Sequence, residues 1–287
     1  MKLLFLACLS PKTGNCTTAE RIRAHVESAG HICVLRDASE FKSSAEVAKL
    51  VTQKPPFDGA LAIHLYKAGR LLLDVPVPFG VVFGGTDINE DVKVEHKLVV
   101  MKQVLLKARF AVAFTAKMKQ MAYVVLRSPS SKIYVQPQGI RTEATEKFSW
   151  GEFLKSSEEV EAVAQRRAGV FLAQGRSQRE LHAVVRRCFA VVNSSISEGM
   201  SAAILEAMHL EVPVVARDIP GNAAVVQHEV TGLLYSSPQE FVCQSQRLLS
   251  DGELRERLVR TAKLYVEQQH SVERERETYH RLVQSLQ

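Results

Sequence analysis

Two glutamates in the second half of the chain are candidates for carboxylates that bind a ligand. Glu198 and Glu206 are eight positions apart. Glu198 lies in a Ser- and Gly-containing loop that follows an apolar run. Glu206 lies within the helix predicted from Ser201 to about Leu210. The two carboxylates therefore belong to one strand, loop and helix unit.

Such a unit is suited to bind an anion. The start of the helix presents backbone N–H groups without helical partners, together with the positive end of the helix dipole, typically to a phosphate. A carboxylate beside a phosphate is repelled by it, so it either accepts hydrogen bonds from hydroxyls or is purely structural. A ligand that carries both phosphates and hydroxyls, such as a nucleotide sugar, accounts for both features.

This stretch resembles the donor-site signature of family 4 glycosyltransferases, which have the two-domain GT-B fold. The matching residues are Ser195-Ile196-Ser197-Glu198-Gly199-Met200-Ser201, then Glu206-Ala207-Met208, then Pro213-Val214-Val215-Ala216, followed by Gly221 and Thr231-Gly232-Leu233-Leu234. The resemblance implies an α/β chain of two Rossmann-like, doubly wound parallel-sheet domains. Residues 1–140 would form the acceptor-side domain, and residues 141–287 the donor-side domain.

The resemblance also implies roles for the residues of the signature. Glu206 would accept both ribose hydroxyls of a nucleotide sugar, and Glu198, the catalytic candidate, would contact hydroxyls of the transferred sugar. The donor phosphates would lie at the helix start formed by Gly199, Met200 and Ser201. Three plainer interpretations stay open: Glu206 as a solvated helix residue, Glu198 as a carboxylate that stabilises the helix dipole, and Gly199 as a turn glycine.

Further candidates lie in the first half of the chain. Gly14 and Asn15 resemble the family's glycine loop, which faces acceptor and diphosphate, although a plain strand–helix turn is an alternative. Thr86 and Asp87 are candidates for the cleft between the domains, with Asp87 as a turn cap the alternative. His64 ends a strand on the cleft side, where a structural histidine is the alternative.

One departure from the family pattern concerns a single residue. Family members often carry a histidine immediately before Gly-Thr-Asp, near the donor sugar. This chain has Gly84 at that place, so the turn is kept and the imidazole is absent. The departure bears on the catalytic detail more than on the fold.

Short apolar runs alternate with amphipathic stretches, which predicts a doubly wound α/β arrangement. The first run, Lys2–Leu9, is predicted to be a buried strand, with a signal peptide as the alternative. A helix is expected over Thr17–Ala29, a polar helix over Ser156–Ala168 and a strand over Gly169–Ala173. The last helix, Val272–Leu286, either crosses back onto the first domain or is solvated.

A larger departure concerns the start of the second domain. Family members open it with a strand–helix–strand unit of roughly 50–70 residues, whose Gly-x-Arg…Lys pair holds the donor diphosphate. Here only about 30 residues, without a strand-like apolar run, separate the Pro137–Ile140 turn from Gly169. The unit is therefore expected to be deleted, as in an alternatively spliced product, which would leave a truncated second domain with an uncovered sheet edge.

Composition excludes several other classes. Hydrophobic residues make up 46% and charged residues 24% of the chain, as in an ordinary soluble protein. Five scattered cysteines indicate reduced thiols and a cytoplasmic location, with secretion as the alternative. The sequence contains no membrane-length apolar run and no Walker, Gly-x-Gly-x-x-Gly or zinc-spacing motif. Residues 1–141 have a net charge of +9 and the rest −3, but no basic–aromatic pattern favours nucleic acid.

These observations predict a retaining glycosyltransferase that moves a sugar from a nucleoside diphosphate donor to an unknown acceptor hydroxyl. No cofactor is expected, and because the sequence has no Asp-x-Asp motif, no metal is expected either. The alternative is a catalytically inactive shortened product that acts, if at all, as a binding module. The expected partners are a nucleotide sugar and the acceptor, without nucleic acid.

Overall fold

The computed structural model describes residues 1–11, 13–127, 130–146, 148–158 and 171–287. Within these ranges the strands belong to two parallel sheets. The names first domain, for residues 1–140, and second domain, for residues 141–287, follow the predicted boundary, which stays a prediction. No helix in the described ranges is both long and apolar enough to cross a bilayer.

The first domain contains a six-stranded sheet in the order β2-β1-β3-β4-β5-β6, with every neighbouring pair parallel. Its strands are β1 (Lys2–Ala7), β2 (Ile32–Asp37), β3 (Gly59–Ile63), β4 (Phe79–Val82), β5 (Phe110–Ala113) and β6 (Ile133–Val135). Its α-helices are α1 (Gly14–Ser28), α2 (Ser44–Thr52), α3 (Gly85–Asn89), α4 (Glu95–Lys107) and α5 (Ala116–Leu126), with 3₁₀ turns at Ala38–Glu40, Gly69–Leu72, Asp91–Lys93 and Ser130–Lys132. The continuous apolar runs of β1 and β3 are those of strands covered on both faces.

In the second domain, the described residues form a three-stranded sheet in the order β7-β8-β9. Its strands are β7 (Val191–Asn193), β8 (Val214–Arg217) and β9 (Leu233–Tyr235). Its helices are α6 (Trp150–Glu158), α7 (Gln178–Val185), α8 (Ala202–His209), α9 (Pro220–Ala223), α10 (Pro238–Ser250), α11 (Gly252–Gln269) and α12 (Val272–Gln284). The predicted alternation of strands and helices is thereby confirmed for both domains.

Two predicted elements near the start of the second domain differ from the structure. Residues 171–173 lie in no strand, and Phe171 and Leu172 are 45% and 47% exposed, so the predicted strand Gly169–Ala173 is wrong over its described part. An apolar run forms a strand only where a neighbour satisfies its backbone groups, and β7 has β8 as its one described partner. The described part of the predicted helix Ser156–Ala168 is the end of α6, and residues 159–170 lie outside the described residues.

The first helix begins earlier than expected. Helix α1 starts at Gly14 rather than at Thr17, because Thr13 caps it: the Thr13 side chain accepts a hydrogen bond from the Cys16 N–H at 3.4 Å. Gly14 and Asn15 are therefore the first residues of a helix and not a loop.

The last helix crosses back onto the first domain, which decides between the two predicted placements. Tyr279 and Val283 of α12 are fully buried. They belong to one apolar cluster with Phe5 of β1, Ile22 of α1 and Ile204 of α8. A second cluster fills the opposite face of the six-stranded sheet within the first domain. The two domains thus share a continuous core on one side of the first sheet.

Candidate functional site

A pocket of about 400 Å³ lies between the two domains. The carboxyl ends of the first-domain strands supply one wall, as the topology of an open parallel sheet dictates. The loop before α8 and the first residues of α8 supply the other wall. The predicted residues that line the pocket are Gly14, Asn15, His64, Thr86, Glu198, Gly199, Met200 and Ser201. Asp87 and Glu206 do not belong to this lining.

His64 is the most constrained residue of the first-domain wall. It follows β3 with a left-handed backbone (φ 71°) and is 2% exposed. Its Nε2 lies 3.3 Å from Asn15 Oδ1, and its Nδ1 lies 3.1 Å from Thr86 Oγ1. Three predicted residues from three separate chain segments thus form one hydrogen-bonded group at the pocket wall.

The imidazole of His64 is neutral at neutral pH. Burial, assisted by the nearby positive charge of Lys67, lowers the pKa of His64 from 6.5 to about 4. The 3.7 Å between His64 Nδ1 and Asp87 Oδ2 is therefore not an ion pair at pH 7. A neutral imidazole carries one N–H, so the ring donates one hydrogen bond and accepts the other.

Asp87 lies beneath the pocket wall and is completely buried. Its carboxylate accepts hydrogen bonds from the backbone N–H groups of Gly84 (2.9 Å), Leu65 (3.0 Å) and Tyr66 (3.4 Å). Burial raises the pKa of Asp87 to about 7, although these three N–H donors oppose the rise. The geometry matches the turn-capping alternative for Asp87, because the carboxylate joins the ends of β3 and β4.

Position 84 has no room for a side chain. A Cβ built on Gly84 would lie 1.8 Å from Cε1 and 2.0 Å from Nδ1 of His64. The ring of His64 therefore fills the space that a side chain at position 84 would need. The pocket lacks an imidazole at residue 84 but has one from the neighbouring strand at the same place.

On the opposite wall, the loop formed by residues 194–201, called here the 194–201 loop, holds Glu198. The Ser195 hydroxyl donates to Glu198 Oε1 at 2.9 Å, and Asn89 of the first domain donates to the Glu198 carbonyl at 2.9 Å. The carboxylate has a second oxygen that can accept from a ligand hydroxyl. A hydrogen-bonded carboxylate at a pocket wall suits a polyol better than an anion.

Asn193, the last residue of β7, organises the base of this loop. Its Oδ1 accepts from the Ser195 N–H at 3.1 Å and from Asn222 Nδ2 at 3.1 Å, and its Nδ2 donates to Ser201 Oγ at 3.2 Å. The loop is thus closed on itself by one amide. Asn193 is not among the predicted site residues, although an Asn at the end of a strand before a Ser-rich loop is a known turn signal.

Glycines allow the two walls to approach each other. A Cβ on Gly199 would lie 2.8 Å from Gly85 Cα, and a Cβ on Gly85 would lie 2.4 Å from the Gly199 nitrogen. A Cβ on Gly221 would lie 2.2 Å from the Glu198 carbonyl oxygen. Gly199 is therefore required by backbone packing between the domains, which is a different constraint from the predicted approach to a ligand.

The start of α8 faces the pocket. Ser201 is the N-cap residue, its side chain makes no capping bond, and no acidic residue lies in the first turn. Ala202 and Ala203 line the pocket, and as first-turn residues their N–H groups have no helical partner. Met200 is 8% and Ser201 4% exposed, so backbone rather than side chains is what this end offers. Unpaired N–H groups and the helix dipole suit a phosphate.

Glu206 lies on another side of α8. Its Oε2 is 3.4 Å from Nε2 of His182 in α7, and His182 is 2% exposed. His182 Nδ1 lies 3.1 Å from the Glu143 nitrogen and 3.2 Å from the Glu143 carbonyl oxygen, and its Nε2 lies 3.0 Å from Gln178 Nε2. The ring is therefore held by Glu143 and Gln178 beside the Glu206 carboxylate. His182 is not among the predicted site residues. Its position within α7 carries no signal beyond helical spacing.

One basic side chain lines the pocket within the described ranges, that of Lys67. Lys67 is exposed and lies near His64, whose pKa its charge lowers. Lys67 is not among the predicted site residues, because a lysine after a strand end is common on surfaces. The spacing to His64, three residues further along, was the only available signal.

The sequence is similar to a glycosyltransferase family model and to two proteins named as glycosyltransferases. The sequence model of the family described as glycosyl transferases group 1 matches residues 152–265. Glycosyltransferase 1 domain-containing protein 1 of Xenopus tropicalis is 46% identical over 342 residues, covering 100% of this chain and 99% of the relative. The putative glycosyltransferase YtcC of Bacillus subtilis is 34% identical over 80 residues, covering 27% of this chain and 20% of the relative.

Solved structures with low sequence identity have the same fold. Anabaena Alr3699/HepE in complex with UDP-glucose superposes with a TM-score of 0.74 at 15% identity, covering 99% of this chain and 100% of that one. Sucrose-phosphate synthase from Thermosynechococcus elongatus gives a TM-score of 0.77 at 13% identity, covering 100% and 99%. The predicted GT-B-like α/β fold is confirmed, whereas the truncation of its second domain stays a prediction.

Proposed function

Because the chain belongs to the group 1 glycosyl transferases, we propose that it transfers a sugar from a nucleoside diphosphate donor to an acceptor hydroxyl with retention of configuration. The observation that carries the proposal is the pocket between the domains. The start of α8 offers phosphate-binding N–H groups, and polar side chains of both walls offer partners for hydroxyls. The relative Alr3699/HepE is known with UDP-glucose, which makes UDP-glucose the first donor to test.

In the proposed reaction the bond between the anomeric carbon and the β-phosphate oxygen breaks, and its electron pair leaves with the nucleoside diphosphate. The acceptor oxygen bonds to the anomeric carbon from the same face, and the hydroxyl proton passes to the departing phosphate. The α8 N–H groups stabilise the charge that develops on the leaving phosphate, which is the main catalytic contribution. Glu198 accepts hydrogen bonds from the sugar, and the group of Asn15, His64 and Thr86 faces the acceptor side.

The role of Glu206 in this proposal is to accept ribose hydroxyls. Its carboxylate is 14% exposed and contacts His182 through one oxygen, so the other oxygen remains for a ligand. A nucleoside would then lie along α8 towards α7, beside the pocket rather than inside it. Metal-independent transfer, without any cofactor, stays a prediction.

The second domain is proposed to lack its opening strand–helix–strand unit. The alignment with the Xenopus relative is 342 residues long and so exceeds the 287 residues of this chain by 55. The three-stranded described sheet and the exposed Phe171 and Leu172 also support the proposal. Lys67 would then be a source of positive charge for the diphosphate, from the wall opposite α8.

A specific observation favours the alternative, a shortened product that binds a nucleotide sugar without transferring it. Within the described ranges, the pocket lining contains one cation, Lys67, and it contains the carboxylates of Glu90 and Glu198. This balance stabilises a leaving diphosphate weakly. The scattered cysteines, all free, support a cytoplasmic location for either product.

Calorimetric titration with UDP, GDP, ADP and their sugar conjugates tests the proposal. Micromolar binding of one nucleotide is expected, with binding lost in Glu206→Ala and retained in the control Glu253→Ala, an exposed carboxylate at the start of α11. Unchanged affinity in Glu206→Ala would reject the assignment of Glu206. Binding without release of free sugar or transfer to any hydroxyl would favour the inactive alternative, and no binding by a cooperatively melting protein would reject both.

A further inference from the structure

Gln138, in the segment that joins the two domains, bonds to both of them through one side-chain amide. It is 3% exposed and follows β6 closely. Its Oε1 accepts from Thr18 Oγ1 at 3.2 Å and from Arg21 Nη2 at 3.0 Å, both on α1. Its Nε2 donates to the carbonyl of Met200 at 3.3 Å. The amide therefore joins α1 of the first domain to the end of the 194–201 loop.

The partners leave only one orientation for this amide. Arg21 has no acceptor and the Met200 carbonyl has no donor. If the amide were turned over, an N–H group would face the guanidinium and an oxygen would face a carbonyl, and both contacts would be repulsive. The position of Arg21 therefore determines that Nε2 of Gln138 faces the Met200 carbonyl.

Arg21 is itself held by the last helix. Its Nε and Nη2 donate to Oε2 (2.9 Å) and Oε1 (3.3 Å) of Glu275, a fully buried residue of α12. His25 Nε2 also lies 2.9 Å from Glu275 Oε2. Arg21, with its neighbour His25, holds the pKa of Glu275 below its usual range despite burial. A bidentate, buried pair fixes the guanidinium more firmly than a surface pair could.

The backbone at Gln138 is fixed by the same helix boundary. His270 Nδ1 lies 2.9 Å from the Gln138 carbonyl, and because a carbonyl only accepts, Nδ1 carries the proton. The next residue is Gly139, where a Cβ would lie 2.8 Å from both Glu275 Oε2 and Val272 Cα. Main chain and side chain of Gln138 are therefore both positioned by the α11–α12 region.

We propose that Gln138 is a positioning residue that holds the 194–201 loop against the first domain, and that α12 sets its orientation through Arg21. The loop carries Glu198 and leads into the α8 start, so Gln138 determines how the donor-side wall faces the acceptor-side wall. The role of this loop in binding a donor rests on the proposed function. The hydrogen bonds that position the loop do not depend on that proposal.

Two variants separate the two ends of the amide. Gln138→Glu keeps an acceptor for Arg21 and Thr18 but turns an oxygen towards the Met200 carbonyl, and Gln138→Met removes both ends at similar volume. The control is Gln136→Met: Gln136 is 8% exposed, lies two residues earlier and donates to the Pro137 carbonyl at 2.8 Å, without contact to the loop.

Amide hydrogen exchange of residues 194–204, followed by mass spectrometry, is the readout that does not depend on activity. Exchange of these residues should rise roughly fivefold or more in both Gln138 variants, the effect of losing one buried hydrogen bond, and should be unchanged in Gln136→Met. A rise of equal size in β1, β3 and β5 would indicate a general structural role and overturn the proposal. Wild-type exchange in both Gln138 variants would overturn it as well.

A second measurement separates this inference from the proposed function. The Gln138 variants, at a residue that also lines the pocket, should bind UDP more weakly than the wild type and should transfer or hydrolyse the sugar of UDP-glucose at a reduced rate. Gln136→Met should match the wild type in both measurements. If the wild type binds no nucleotide, the proposed function is rejected. The hydrogen-exchange experiment then tests the role of Gln138 by itself. If both variants transfer sugar at the wild-type rate and show wild-type hydrogen exchange, the role of Gln138 is rejected and the proposed function is not.

Discussion

The two sheets of this molecule differ in how deeply their strands are buried. In the six-stranded sheet, every residue of β3, β4 and β5 is buried. In the three-stranded sheet, no residue of β7 is buried, and Val192 is 50% exposed. Both sheets are parallel and both follow the same alternation with helices.

The difference determines how each wall of the pocket is held. In the first domain, the buried His64 is held at a strand end by hydrogen bonds to the half-buried Asn15 and Thr86. In the second domain, the 194–201 loop depends on side-chain hydrogen bonds and on glycine contacts with its neighbours. The wall supplied by the first domain is thus preorganised by a core, and the wall supplied by the second domain by a small set of polar contacts.

The largest expected effect is a core substitution in the six-stranded sheet. Leu61 of β3 is fully buried, and Leu61→Ala should lower the free energy of unfolding by about 3 kcal/mol, since both a side chain's burial and a filled volume are lost. Urea unfolding measures this. The matched substitution Val192→Ala in half-exposed β7 should cost below about 1 kcal/mol, and equal costs in the two strands would contradict the comparison.

The second effect is a pH dependence of stability, which tests how His64 is held in the pocket wall of the first domain. Since folding lowers the pKa of His64 from 6.5 to about 4, the fold favours the neutral ring. Its contribution to stability is present above pH 6.5 and is lost as pH falls through about 4. As the pH falls from 6.5 to about 4, the free energy of unfolding of the wild type should decrease by roughly 3 kcal/mol relative to that of His64→Gln.

Neighbouring charges must be accounted for in that experiment. Asp87, Lys67 and Asp91 act on His64 or lie beside it, and the raised pKa of Asp87, about 7, gives a contribution that is lost as pH rises. Because Asp87 is present in both proteins, the difference between them isolates His64. Thermal melts from pH 4 to 7 should show no such gain for His228→Gln, a residue whose side chain is 41% exposed.

The third effect tests the glycine contacts of the second wall. Gly221→Ala places a Cβ 2.2 Å from the Glu198 carbonyl, so the backbone must shift, at a cost of about 1–3 kcal/mol. Nucleotide-sugar affinity should fall along with stability. Gly252→Ala, where nothing lies within 4 Å of the new Cβ, is the control and should be neutral in both urea unfolding and titration.

The smallest effect concerns one hydrogen bond in the 194–201 loop. Ser195→Ala removes the donor to Glu198 Oε1, which should weaken nucleotide-sugar binding about fivefold, or about 1 kcal/mol, with an unchanged melting temperature. Calorimetric titration measures this. Unaltered affinity would mean that the carboxylate is positioned without Ser195 and that the second wall is more rigid than the comparison implies.

Much of the fold was predictable from local patterns. The apolar runs that became β1 and β3 and the strand, loop and helix unit around Glu198 required no knowledge of distant residues, since their signals lie within a few positions. The start of α1 was misplaced because the cap at Thr13 was not considered. The strand expected at 169–173 was wrong over its described part, because strand formation depends on a partner strand and not on apolar content alone.

The sequence by itself determined the fold class and the family, because repeated apolar periodicity and the Glu198-to-Ala216 signature are local. Only the tertiary structure decided which residues meet. Glu275 lies in a run of alternating charges and yet is fully buried against Arg21 and His25, while Glu206 faces His182 rather than the pocket. The burial and partners of a charge depend on packing between separate segments, which are 254 positions apart for Arg21 and Glu275, and no local pattern encodes that contact.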